Sequence, residues 1–407
     1  MGRYRYLFSP LRLGPVTVRN RLVFSAHLTN YAADGLPTAQ HAAYYAARAE
    51  GGAGLIITEE HSTHPTDWPY EKLIHGFHRE VIPGYRRITE AVHRHGTPIF
   101  AQINHNGGQA SSMYSRLPVW APSPVADPLF REVPKAVNRR EIADIVAGYA
   151  LVAGHCKEGG FDGIELQCSH SSIVRGFLSG ATNKRTDEYG GTLENRARLL
   201  IEIVAAVREA IGGDLALGVR LCGDELIEGG TTIDEAVAVA RLVEATGSVD
   251  YINTSIGVAT STLFMIEASM HVPPGYDFSS PTQSGAPSSC PWSVSAGSRI
   301  RCRRSVPWKR GTATWWEPYA RRSPIPTSSA RARRGTPNRS ACASAATRSA
   351  WGAWGSTVGS GASRTRPLGA SRCRSLRGPC PRRWWWWAPD RAACRRGSAP
   401  RRAATTW

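Results

Sequence analysis

The chain has 407 residues and a formal net charge of +18, from 50 Lys+Arg against 32 Asp+Glu. The excess is local: residues 1–277 hold 25 basic and 30 acidic residues, whereas residues 278–407 hold 25 basic and two acidic ones, Glu317 and Asp390. No apolar run approaches the roughly 18 residues of a membrane span, MGRYRYLFSP lacks the apolar core of a secretory signal, and Cys156, Cys168 and Cys222 have no metal-like spacing, so a cytoplasmic protein with reduced thiols and no membrane partner is expected.

Six short apolar runs follow one another along the first part: RLVFSAHL (21–28), AGLIITEE (53–60), TPIFAQINH (97–105), FDGIELQC (161–168), LALGVRLCG (215–223) and VDYINTSIG (249–257). Each is nearly unbroken in Ile, Val, Leu and Phe, as in parallel strands covered on both faces. Helices lie between them. In NRREIADIVAGYALVAGHCKEGG, Asn138 and Glu141 form an N-terminal capping pattern and Gly159 a stop. Thr232, Glu235 and Gly247 repeat the scheme in TTIDEAVAVARLVEATG.

Repeated strand–helix units are compatible with a doubly wound sheet or a (β/α)8 TIM barrel. The polar residues favour the barrel. His27, Glu59, Glu60, Gln102, Asn104, His105, Gln167, His170, Arg220 and Asn253 gather at the C-terminal ends of the runs, where a barrel keeps its active site. No glycine-rich turn follows the first run, as a doubly wound dinucleotide fold would require. An α/β barrel with about six of eight units recognisable is therefore expected for residues 1–277.

LFSPLRLGPVTVRNRLVFSAHLTNY, YAARAEGGAGLIITEEHSTHP, AQINHNGGQ, GFDGIELQCSHSSIVRGFLS, TNKRTDEYGGTLENRARLL and GVRLCGDE resemble, in order, the Old Yellow Enzyme family of FMN-dependent oxidoreductases. The resemblance is to the branch of 2,4-dienoyl-CoA reductase and trimethylamine dehydrogenase, and also to members encoded beside mycofactocin biosynthesis genes. It implies that Ser25, Ala26, His27 and Leu28 cradle the flavin ring, that Gln102 bonds its pyrimidine part, and that Arg220 lies near N1 and O2. A guanidinium there would stabilise the charge of a reduced flavin. Gln167 and His170 match the pair that contacts a substrate above the ring. Two positions depart from the pattern. Ser172 stands where the family's proton-donating tyrosine is usual, and Ala259 where dienoyl-CoA reductases use a histidine; serine is a poor proton donor. Glu59 replaces a glycine common in ene-reductases and is similar to the amine-dehydrogenase branch. The implied activity moves hydride or electrons from NAD(P)H through FMN to or from a small unsaturated carbonyl, enoyl or amine substrate.

Residues 278–407 have no hydrophobic period, 11 of the 13 Trp and six of the nine Cys. One reading is an Arg-rich arm that binds nucleic acid without catalysis. The other is a GC-rich gene translated in the wrong frame. Trp384–Trp387 can only be encoded by four TGG codons, so the frame one base earlier reads Val-Val-Val-Gly, and the following codons permit VVVVGAGPGGL, a strand with a dinucleotide fingerprint. In the same frame, residues 290–298 permit VPVVGVGRF, similar to the family's last barrel strand and phosphate turn. Residues 341–355 permit RLCVGCNTCVGRMGL, similar to its iron–sulfur cysteines, and residues 277–281 permit LFIP. A frameshift near 276–278 is therefore expected, with no specific nucleic-acid partner and no motif-based function after 277. An intact parent would carry a four-iron–four-sulfur cluster and an FAD module besides FMN. This chain would lack barrel strands seven and eight, and would be poorly soluble with weak or absent FMN retention.

Overall fold

The computed structural model describes residues 6–266, Val272 and the backbone of 292–294. In chain order the elements are β1 (Leu11–Leu13), β2 (Val16–Val18), β3 (Val23–Phe24), α1 (Ala39–Glu50), β4 (Leu55–Ser62), α2 (Ile82–His93), β5 (Ile99–Asn104), α3 (Ser112–Ser115), β6 (Trp120–Ala121) and β7 (Lys135–Ala136). There follow α4 (Arg139–Glu158), β8 (Gly163–Cys168), α5 (Ile173–Leu178), α6 (Leu193–Ile211), β9 (Ala216–Cys222), α7 (Ile233–Ala245), β10 (Tyr251–Ser255), α8 (Leu263–Ile266) and β11 (Trp292–Val294).

All six apolar runs form strands of one parallel sheet, ordered β11-β10-β9-β8-β5-β4-β3. Consecutive strand–helix units laid side by side make the curled half-barrel of a TIM-type α/β fold. Aspartates set the register at the N-terminal end. Asp162, just before β8, accepts the amide of Ile99 at 2.8 Å, and Asp250, just before β10, accepts that of Leu217 at 2.8 Å.

The helices form where capping starts them. Asn138 and Glu141 close a reciprocal capping box on α4, as do Thr232 and Glu235 on α7; such a cap stabilises by about 1 kcal/mol. The inner faces of α4 and α6 place Ile145, Tyr149, Val152, Leu199, Leu200 and Ile203 against the outer sheet face, all fully buried. Each aliphatic chain so buried contributes roughly 1.5–3 kcal/mol.

A second, smaller core fills the inside of the sheet. The antiparallel hairpin β1–β2 inserts Leu13 and Val18 beneath Val23, Leu55, Ile57, Phe100, Ala216 and Tyr251. Gly14 turns this hairpin at φ +52°, with the Asp250 carboxylate 2.3 Å from where a Cβ would sit. Only glycine fits there without strain.

One expectation is corrected. The seventh sheet position is not empty: Trp292–Val294 pairs in parallel with Ile252–Thr254 of β10. The pairing uses backbone groups alone, so the open edge of β10 accepts an extended segment whatever its sequence. Among the described residues no strand joins β11 to β3, and the sheet stays open. The boundary expected near 277, and the wrong-frame strings apart from the backbone of 292–294, lie outside the described residues.

Candidate active site

The inward-facing side chains change from apolar to polar along the strands. Above the inner core lies Glu165 of β8, fully buried, which accepts from Gln102 Nε2 at 2.8 Å, Asn253 Nδ2 at 3.0 Å and the Tyr251 hydroxyl at 3.1 Å. One step further toward the C-terminal ends, Gln167 and Arg220 are register partners on β8 and β9. Arg220 Nη1 donates to Ser25 Oγ at 3.1 Å, tying β9 to the segment after β3. Gln102, Arg220, Gln167 and Ser25 are thus brought to one interior surface.

The remaining candidates of the first segment line its edge. Ser25, Ala26 and His27 are half-buried, and Leu28 is 48 % exposed. His27 pairs through Nε2 with the Tyr44 hydroxyl, and burial lowers its pKa below the usual value. Glu225 is held by Arg175 at 2.7 Å, with Ser179 Oγ at 2.7 Å.

His170 follows β8 at φ +51°, a left-handed conformation uncommon for a side chain of this size. Neither of its ring nitrogens makes a hydrogen bond of ordinary geometry. Burial pushes its pKa down to about 3, and the Arg220 charge pushes the same way, so the ring is neutral at physiological pH. Beside it, Gln167 Oε1 accepts Ser169 Oγ at 2.7 Å, which leaves the amide Nε2 as the end available to a ligand.

Ser172 has a structural role. Its hydroxyl accepts the Val174 amide at 3.1 Å and caps α5. Ser172→Ala is expected to cost about 1 kcal/mol of stability and to leave any flavin spectrum unchanged; thermal unfolding together with absorbance checks both. Glu59 is likewise engaged, by Thr29 Oγ1 at 2.5 Å and His41 Nε2 at 2.7 Å. His105 accepts the Gly107 amide at Nδ1, which fixes its proton on Nε2 toward Thr66 Oγ1 at 3.1 Å. It is a satisfied core histidine. Cys168 and Cys222 are buried thiols, their pKa values raised by desolvation. No cluster of metal-ligating side chains occurs among the described residues.

Loops roof the mouth. The β4–α2 loop and the end of β5 share a buried acid pair: Glu60 accepts from Asn104 Nδ2 at 2.6 Å and Tyr70 at 2.9 Å, and Asn106 Nδ2 bridges it to Asp67 at 3.1 Å. Burial, then the neighbouring Glu60, pushes the Asp67 carboxyl up to about 8. The folded state therefore holds a proton that the unfolded chain, with a carboxyl pKa of about 4, releases. Stability should fall as pH rises from about 4 through 8, and Asp67→Asn should flatten that fall in urea midpoints taken at both ends. On the other side, Asp127 Oδ2 accepts from Gln109 Nε2 and Thr260 Oγ1, both at 2.8 Å, joining the segment after β5 to that after β10.

The model of the NADH:flavin oxidoreductase / NADH oxidase family matches residues 6–263. This chain belongs to that family. N,N-dimethylglycine/sarcosine dehydrogenase of Chromohalobacter salexigens is 35 % identical over 274 residues, 66 % of this chain and 40 % of that protein. NADPH dehydrogenase of Bacillus subtilis is 32 % identical over 277 residues, 68 % of this chain and 78 % of that one. The solved Old Yellow Enzyme homologue of Zymomonas mobilis superposes with a TM-score of 0.62 at 26 % identity, covering 71 % of this chain and 82 % of its own. The chain spans about two fifths of the length of the first curated relatives it matches.

Sequence reasoning missed Glu165, Tyr251 and the Arg175–Glu225 pair. A signal was present: a charge inside an unbroken apolar strand must be paired or hydrogen-bonded.

Proposed function

We propose that residues 1–277 form the FMN-binding portion of an oxidoreductase that takes reducing equivalents from NAD(P)H and acts on a small unsaturated carbonyl, enoyl or amine substrate. The observation that carries this is the convergence of Gln102, Arg220 and Ser25 on one interior surface at the C-terminal ends of the strands. The residues fit a flavin. An amide and a guanidinium match the polar pyrimidine edge, and the orphaned buried Oδ1 of Asn253 is a polar atom that a ligand would satisfy. FMN, when bound, supplies hydride and electron transfer.

The chain's own residues bind and orient. Arg220 would hold the charged side of the ring and Gln102 its pyrimidine edge, with residues 25–28 along the rim. Gln167 Nε2 and the neutral His170 would hold an oxygen or nitrogen of the substrate. His170 at this pKa is a hydrogen-bonding group rather than a cation. Glu59, bound to His41 and Thr29, would act on the site's wall and not on the substrate. The amine side of the substrate range is favoured by the dimethylglycine/sarcosine relative and by the solved histamine dehydrogenase, 32 % identical over the 63 % of this chain it covers. Anaerobic bleaching of bound flavin by NAD(P)H, followed by challenge with enones or by reduction with N-methylated amines, separates the classes. No bleaching by either donor overturns the proposal.

For residues 278–407 we infer a wrong-frame origin, supported by four permitted strings in family order. The FMN phosphate turn, the iron–sulfur cysteines and the FAD module would then belong to the uninterrupted parent. A coding DNA that permits none of those strings would sink it.

A further inference from the structure

Glu165 carries the one carboxyl group of β8, and it is wholly removed from solvent. Its donors come from two other strands: Gln102 from the adjacent β5, and Tyr251 and Asn253 from β10, two positions away in the sheet. Tyr251 reaches across because β9 carries glycine in between. A Cβ on Gly218 would lie 2.0 Å from Tyr251 Cζ. The interior is therefore built to bring donors to this carboxylate, at the level directly beneath Gln167 and Arg220.

The consequence falls on Gln102. A primary amide has two ends of nearly equal size, one a donor and one an acceptor, and packing alone cannot tell them apart. The Glu165 carboxyl accepts Gln102 Nε2 at 2.8 Å, so the donor end of the amide faces it. Oε1 is turned away from it, and one N–H of Nε2 remains unspent. The pyrimidine edge of a flavin carries an N–H between two carbonyl oxygens, which requires an acceptor and a donor side by side. We infer that Glu165 is a positioning residue, fixing the amide of Gln102 in the orientation that a flavin pyrimidine edge accepts. The inference rests on the FMN reading above, and concerns a residue that never touches the ring.

The test uses the full chain and Glu165→Gln, which keeps the volume but offers either end of an amide to Gln102. The first readout needs no cofactor. In protein labelled with side-chain nitrogen-15 glutamine, the Gln102 pair, assigned by its loss in Gln102→Leu, should show two widely split protons, one slow to exchange. Glu165→Gln should collapse the splitting, whereas Tyr251→Phe, which removes a different donor, should leave it. The second readout is FMN titration, where Glu165→Gln should weaken binding about tenfold, the equivalent of one hydrogen bond to a charged group. An unsplit Gln102 pair in the wild type, or a splitting unchanged in Glu165→Gln, overturns the inference. So does unchanged FMN affinity. A wild-type chain that takes up no FMN refutes the cofactor reading instead, and the amide signal still decides whether Glu165 holds Gln102.

Discussion

Arg175→Met should destabilise the fold by roughly 3–5 kcal/mol, the cost of stranding one partner of a buried ion pair. Arg175 Nε and Nη2 meet the two oxygens of Glu225 at 2.7 and 3.0 Å, and both side chains are nearly sealed from water. Without the guanidinium, the Glu225 carboxylate keeps Ser179 Oγ at 2.7 Å and Thr231 Oγ1 at 3.4 Å, hydrogen bonds without a counter-charge. The pair joins α5 to the segment after β9, so its loss should loosen the roof beside His170. Replacing both partners, with Met at 175 and Gln at 225, should recover part of the loss, because no buried charge is left behind. Urea unfolding of the three variants measures this; a loss under about 1 kcal/mol for the single change contradicts it.

Arg220→Met should lower FMN affinity by about ten- to a hundredfold, the range of a hydrogen bond made by a charged donor. The methionine keeps an unbranched stem in place of the arginine's aliphatic part and removes only the guanidinium end, so the inner core should be undisturbed. If Arg220 faces N1 and O2 as proposed, reduction of the bound ring should also become harder, since a cation there favours negative charge. Equilibrium binding followed by protein fluorescence, and a potential measured against reference dyes, read the two effects separately. An affinity lowered with an unchanged potential would place Arg220 away from that side of the ring.

The half-barrel was legible because a parallel strand buried on both faces must be apolar almost throughout, and six such runs alternate with capped helices. The insertion that holds β6 and β7 was not. Its pairing, Trp120–Ala121 with Lys135–Ala136, is only two residues long and leaves no period to read. The β1–β2 hairpin was hidden for a related reason: LRLGPVTV alternates weakly, and its apolar residues declare themselves only by entering the bottom of the sheet. At β11 the sequence misled, because backbone pairing at an open edge does not depend on a strand-like pattern.

Within the site, Gln102 and Arg220 were legible as polar residues at strand ends and through family motifs. Their support was not. Glu165 is bonded to residues 63 and 88 positions away, and nothing local in GIELQC shows which donors will arrive. The same holds for Arg175 and Glu225, 50 residues apart. Ser172 shows the converse. As a missing tyrosine it looked like a gap in the chemistry, and in the fold it is the cap of α5.

The most direct measurement is the near-ultraviolet and visible absorbance of the purified full chain, titrated with FMN and then freed of unbound flavin. The account predicts a retained flavin band, with the ring held by Gln102, Arg220 and residues 25–28, and binding weaker than in a closed barrel because no strand among the described residues joins β11 to β3. Soluble, monodisperse protein that retains no flavin at any concentration tested would contradict it.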